Sequence, residues 1–154
     1  MQATMLVSMR RTSLAEMPCP VARTLDVVGE WWTLLIVRDA LLGARRFEDF
    51  KATGIADNIL SARLRRLVDE GVLERVPYQE RPERHEYVLT AKGRALGTVV
   101  QALRSWGLRW TSGEDFSPPL VHVECGHEAA LGFRCPHCDR PVGAGELEVR
   151  GPAR

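Results

Sequence analysis

The chain has 154 residues, 45% of them hydrophobic and 27% charged. That length fits one domain with an appendage or two small domains, and the composition is that of a globular protein. No apolar run approaches the ~20 residues of a membrane span, and the short Met5-Leu6-Val7 run is followed, not preceded, by Arg10-Arg11 as no secretory leader would be, so a cytoplasmic protein with no membrane partner is expected.

The net charge of +1 would not suggest nucleic acid, but its distribution is informative. Residues 1–112 carry 17 Lys+Arg and 13 Asp+Glu, a net +4, whereas residues 113–154 carry 4 and 7, a net −3. A mild basic footprint therefore lies in the first part of the chain and an acidic tail comes after it.

Residues 1–16 show no strong period and are expected to be disordered. From Pro20 to Val28 a short helix is predicted, with Val21, Leu25 and Val28 on its apolar side. A second helix is predicted over 31–42, with Trp32, Leu35, Ile36 and Ala40 on one face, Gly43 closing it, and Trp31 and Trp32 as core anchors. Arg45-Arg46-Phe47 opens a third, short helix, which Thr53-Gly54 turns into the next element.

That element, from Gly54 to Gly71, is the one the rest serves. Ile55, Leu60, Leu64, Leu67 and Val68 make one apolar stripe at helical spacing, and Gly71 stops a helix spanning 56–70. Asn58, Ala62, Arg65, Arg66 and Asp69 face away from the stripe, with Ser61 on its border. Asn, Ser and Arg side chains on such a rod can meet base edges and phosphates in a major groove. An ordinary amphipathic surface helix has the same pattern, so the segment after Gly71 decides between them. Two alternating stretches, 72–76 and 84–90, flank a polar piece holding Pro77 and Pro82, and read as a charged β-hairpin with its tip over 77–83. A helix joined directly to such a hairpin is winged helix-turn-helix architecture.

Five motifs carry a family resemblance: Cys19-Pro20, Gly29-Glu30-Trp31-Trp32-Thr33-Leu34-Leu35-Ile36, Gly43-Ala44-Arg45-Arg46-Phe47-Glu48-Asp49-Phe50, the start of the reading helix from Gly54 to Leu64, and Tyr87-Val88-Leu89-Thr90-Ala91-Lys92-Gly93. In this order and spacing, from Pro18 to Trp110, the chain resembles the HxlR-type winged helix-turn-helix regulators. It departs at Glu30, where the family usually has a basic residue, and in its tail. The resemblance implies a sequence-specific regulator of double-stranded DNA that dimerises through its terminal helices. Asn58, Ser61 and Arg65 would then face bases, Arg63 and Arg66 would lie nearer phosphates, Arg81 and Arg84 would touch backbone or minor groove from the wing, and Arg46 would meet a phosphate or pair with Glu48 or Asp49. Some members sense oxidants through a cysteine at the Cys19 position, ahead of a helix start that favours thiolate. A redox or small-molecule effector is therefore open.

Thr90 can cap a long helix over 91–110, where Leu96, Val99, Val100, Leu103, Trp106 and Trp110 recur at three and four residues, suiting a homodimer seam and hence a palindromic operator. Residues 113–119 break all periodicity and read as a linker closing a DNA-binding and dimerisation domain over 17–112. In the tail, His122 and Cys125 have the same spacing as the C-x₂-C pair Cys135 and Cys138. Two such turns can hold structural Zn²⁺ in a tetrahedron, with His127 and His137 competing with His122 for the fourth position. A zinc-ribbon-like module is expected over 120–150. The expected fold is mainly α with a small β-hairpin wing, a winged helix-turn-helix, plus this β module. A winged-helix protein-interaction module without DNA binding is the alternative, and an enzyme is not expected: no Ser-His-Asp arrangement or glycine-rich phosphate loop is discernible.

Overall fold

In the computed structural model, which describes residues 13–113 and 118–150, Pro20 begins the first helix, α1 (Pro20–Val28), where its missing N–H leaves no helical bond unmade. The disorder expected over 1–12 lies outside the described residues. Past residue 12, Met17 N–H donates to Leu14 O at 3.1 Å and closes a turn, and the Leu14 N–H donates to Asp26 Oδ1 at 2.8 Å. Then come α2 (Trp31–Leu41), α3 (Phe47–Phe50), a short 3-10 turn (Lys51–Thr53) and α4 (Asp57–Asp69). The hairpin is next, as β1 (Leu73–Glu80) and β2 (Glu83–Leu89), antiparallel, then α5 (Ala91–Ala95) and α6 (Gly97–Trp110).

The chain forms two compact units, 1–97 and 98–154. In the first, α2 packs on α1, α4 and β2, and α4 also packs on β1. Leu60, Leu64 and Leu67, the apolar stripe of α4, are fully buried together with Ile36, Val37, Phe50, Val72 and Leu73. Each such side chain contributes roughly 1.5–3 kcal/mol by leaving water. The end of α4 is a Schellman motif: Val72 N–H donates to Leu67 O, Gly71 N–H donates to Val68 O, and Gly71 takes φ +66°, where a Cβ would be strained. That turn points the chain straight from α4 into β1.

Four expectations change. On α1 the inward face is Ala22, Asp26 and Val28, while Val21 and Leu25 are exposed. On α2, Thr33, Ile36 and Val37 are buried and Trp31 is 89% exposed, so Trp31 is no core anchor of this unit. The aromatic size of Trp31 suggested burial, but its position at the first residue of the helix sets it outside the packed turns. The hairpin tip is short: Pro77 lies within β1, the register shifts between Pro77 and Gln79, and only Arg81 and Pro82 stand between the strands. Proline has no N–H for the ladder, and a bulge beside it lets pairing resume. The helix expected over 91–110 is broken: α5 ends at Ala95, the Leu96 N–H bonds Gly93 O three residues back, and α6 starts at Gly97. Thr90 does cap α5, its hydroxyl accepting from Gly93 N–H at 3.1 Å.

The second unit holds α6 and the tail, where β3 (Phe133–Arg134) pairs with β4 (Pro141–Val142) and Val121 bridges Glu128. Of the linker expected over 113–119, residues 114–117 lie outside the described residues.

Candidate nucleic-acid interface

The buried stripe of α4 fixes which way its other side chains point. Asn58, Ser61, Ala62, Arg65 and Asp69 are all exposed, at spacings that keep them on one outward face. From Asn58 to Arg65 the helix rises about 10 Å, or about three base steps at 3.4 Å each. Asp69 carries negative charge at the far end of the same face and Asp57 of the first turn is paired with Lys51, so the cation that this face offers an anionic duplex is Arg65. Arg81 and Arg84 are exposed at the wing tip.

Arg63 and Arg66 are placed differently from Arg65. Arg63 Nη2 lies 3.0 Å from Glu30 Oε2, and Arg66 Nη2 lies 3.2 Å from Asp26 Oδ2 and 2.9 Å from Glu70 Oε1. Both are half-buried, and the Nε of each is enclosed without a hydrogen-bond partner. They stand on the flank of α4, where these ion pairs brace it against α1 and the start of α2. Glu30, the departure from the family pattern, is the residue that receives Arg63.

Arg46 pairs with a different acid from the two expected. Its side chain pairs with Glu86 of β2 at 3.4 Å, not with Glu48 or Asp49, and its guanidinium lies over the Tyr78 ring at 4.6 Å. Arg45 Nη1 is 3.8 Å from the same Glu86, and Arg45 O accepts from Tyr87 N–H at 2.7 Å. The start of α3 is thereby tied to the wing, with the Arg46 side chain still 57% exposed. Asp49 accepts from the N–H groups of Arg46 and Arg45, which hold its carboxyl below the usual carboxylate range. Lys51, which sequence reading missed, bridges to Asp57 at 3.2 Å and Glu48 at 3.6 Å, and the Asp57 partner raises its pKa. No spacing signal announces Glu86, whose partners are 40 residues away in sequence.

Cys19 is the N-cap residue of α1, half-buried and reduced. In the tail, His122 Nδ1 lies 3.3 Å from Cys125 Sγ. Cys135 accepts from the N–H groups of Cys138 and His137 and from the Cys138 thiol, which lower its pKa. The two pairs stand in separate turns: among the described residues no three His, Cys, Asp or Glu side chains are gathered to hold a metal.

A family model described as HxlR-like helix-turn-helix matches residues 27–115. An uncharacterised HTH-type transcriptional regulator of Mycobacterium tuberculosis is 44% identical over 126 residues, 80% of each chain. Among solved structures, PA1607, described as a candidate transcription factor, is similar with a TM-score of 0.76 at 43% identity, covering 90% of this chain and 99% of its own. A match of that coverage extends past residue 115, where the family model ends. The oxidised form of the redox regulator HypR is similar with a TM-score of 0.55 at 33% identity, over 63% of this chain and 99% of its own.

Proposed function

The chain belongs to the HxlR-like helix-turn-helix family, and on that premise we propose that it is a dimeric, sequence-specific regulator of transcription that reads a palindromic operator with α4 and steadies itself through its wing. It is a transcription regulator of this family and not an enzyme, as its relatives are regulators. The observation that carries the reading is the open face of α4, where Asn58, Ser61 and Arg65 stand clear of the protein while the flanking arginines are held in ion pairs. Asn suits adenine and Arg suits guanine in a major groove. Arg81 and Arg84 contact backbone or minor groove, and Arg46, half-exposed beside the wing, reaches a phosphate.

Dimerisation is supported by apolar side chains left uncovered in each unit. On α6, Val99, Leu103, Trp106 and Trp110 are exposed at spacings of four, three and four residues, the pattern of a helix seam, and Trp106 and Trp110 are 62% and 64% exposed. Val21 and Leu25 of α1 are exposed as well. A symmetric pair then presents two copies of α4, which sets half-sites about one helical turn apart. Among the described residues no helix is long and apolar enough to cross a membrane, and the proposed place of work is the cytoplasm. Cys19, at the start of α1, is the group on which an oxidant effector would act, a reading supported by the similarity to the redox regulator HypR. The tail is proposed as a zinc-ribbon-like module.

A gel-shift series against a selected operator tests the reading. Binding should fall steeply as salt rises, because phosphate contacts release counterions. Binding that ignores salt, or no duplex bound at all, would favour a protein-interaction module instead.

A further inference from the structure

The tail repeats itself in three dimensions. The bridge Val121–Glu128 has its counterpart thirteen residues on in the pair Arg134–Pro141. The bond from Ala129 N–H to Leu120 O sits where Phe133 pairs with Val142. His122 N–H donates to His127 O at 2.9 Å, and Cys135 N–H donates to Arg140 O at 3.0 Å. Gly126 N–H donates to His122 O at 2.8 Å, and Asp139 N–H donates to Cys135 O at 2.9 Å. Even the left-handed residue is duplicated, Gly126 at φ +69° and Asp139 at φ +55°. Aspartate tolerates that region better than most side chains, so Asp139 can close the second turn as Gly126 closes the first. The sequence itself shows little of this repeat beyond one shared cysteine position.

Resting on the proposed zinc-ribbon-like reading of the tail, we infer that the two turns, whose His/Cys pairs stand apart in this structure, are the halves that zinc would draw together into one structural site with ligands His122, Cys125, Cys135 and Cys138. Under the thirteen-residue equivalence His122 stands for Cys135 and Cys125 for Cys138. His127 takes the place of Arg140, and Glu124 takes that of His137. His127 thus occupies a position that the other turn fills with Arg140, which cannot bind a cation, and neither His127 nor His137 is matched by a cysteine in the other turn, whereas His122 is matched by Cys135, which favours His122 as the fourth ligand. Ligand atoms of one tetrahedral zinc stand about 3.5–3.8 Å apart, from Zn–N near 2.0 Å and Zn–S near 2.3 Å. The 3.3 Å between His122 Nδ1 and Cys125 Sγ is close to such an edge. In the other turn the N–H groups of His137 and Cys138 already point at the Cys135 sulfur.

The need for a metal is plain from burial. From 118 to 150 no described residue is buried, and Leu120, Val123, Leu131, Phe133 and Leu147 are exposed. A segment this small with no apolar core needs a crosslink to hold a fold. All three tail cysteines are free thiols, so no disulfide supplies it. The metal closes one preformed turn on the other and contributes the folding energy of the module. Four protein ligands leave no open position, which makes the site structural. Within this unit Arg104 of α6 reaches Glu128 at 3.5 Å, so the first turn is also joined to the helix proposed for the dimer seam.

The test uses the full-length chain without a histidine tag, purified under reducing conditions and reconstituted with zinc. Elemental analysis should find one tightly held zinc per chain. Cobalt(II) in its place should show thiolate charge-transfer bands and the intense visible bands of a tetrahedral site. His122→Ala, Cys125→Ser, Cys135→Ser and Cys138→Ser should each lose the metal or the cobalt spectrum, while His127→Ala and His137→Ala keep both. Absence of zinc and of the cobalt bands overturns the site. Retention by His122→Ala with loss in His127→Ala or His137→Ala overturns the ligand set. A Cys135–Cys138 disulfide that persists in the freshly isolated chain without reductant overturns it too. Cobalt titration of the unaltered chain decides the matter even if the variants fail to fold.

Discussion

Arg65 is separated from Arg63 and Arg66 by one or two positions in sequence, yet the three have different surroundings. Arg65 is exposed on the open face of α4, and Arg63 and Arg66 are held by Glu30, Asp26 and Glu70. The variants should separate accordingly. Arg65→Ala should cost about 1–3 kcal/mol of operator affinity and relax one symmetric pair of base positions, with thermal stability unchanged. Arg63→Ala should lower the melting temperature. In a double-mutant cycle with Glu30→Ala the two should couple by about 0.2–1 kcal/mol, the range for pairs that keep contact with solvent. If the cycle shows no coupling, the brace between α4 and α2 is not a working contact.

Asp49 offers a pH test at the same scale. Its folded pKa lies below the unfolded value, so its contribution to stability is present above the unfolded pKa and is lost as pH falls through the folded one. The melting temperature of Asp49→Asn should therefore sit below that of the parent at neutral pH, and the gap should shrink as the solution is acidified through the carboxylate range. A gap that is constant with pH would mean that the charge on Asp49 contributes nothing to holding the start of α3.

Among elements, α4 was the most readable in the sequence because its burial is local and periodic. Leu60, Leu64 and Leu67 sit on one stripe, and the glycine that ends the helix comes directly after. The wing was readable in kind but not in extent, since Pro77 looked like a turn residue and a bulge accommodates it within β1. Exposure at Trp31, Val21 and Leu25 was not readable, because residue type says what prefers burial and not whether the same chain supplies the cover. The pairs Arg46–Glu86, Arg63–Glu30 and Arg66–Asp26 join residues 33 to 40 apart, beyond any local pattern. In the tail the matching spacing of His122/Cys125 and Cys135/Cys138 was legible and the repeat of the hydrogen bonds around them was not, because backbone bonding leaves little trace in residue type. At this scale the wing predicts that Arg84→Ala weakens binding to every duplex alike and reduces the salt slope by about 1. Titrations of specific and scrambled duplexes at several salt concentrations measure both. A loss confined to one sequence would instead make Arg84 a base reader.

For the whole molecule, reading a palindrome needs two copies of α4 acting together. The stripe of Val99, Leu103, Trp106 and Trp110 on α6 is the apolar surface that a second chain would cover. Trp106→Ala with Trp110→Ala should shift sedimentation from dimer toward monomer at micromolar concentration and weaken operator binding in parallel, while the first unit keeps its far-ultraviolet signature. A dimer undisturbed by both changes would place the seam elsewhere.

The most direct measurement is selection of bound duplexes from a random pool by the full-length chain, repeated with Arg65→Ala. The parent should select an inverted repeat with half-sites about one helical turn apart, and the variant should lose preference at one matching position in each half-site. A pool that yields no common sequence, or an operator read identically by both proteins, would contradict operator reading by α4.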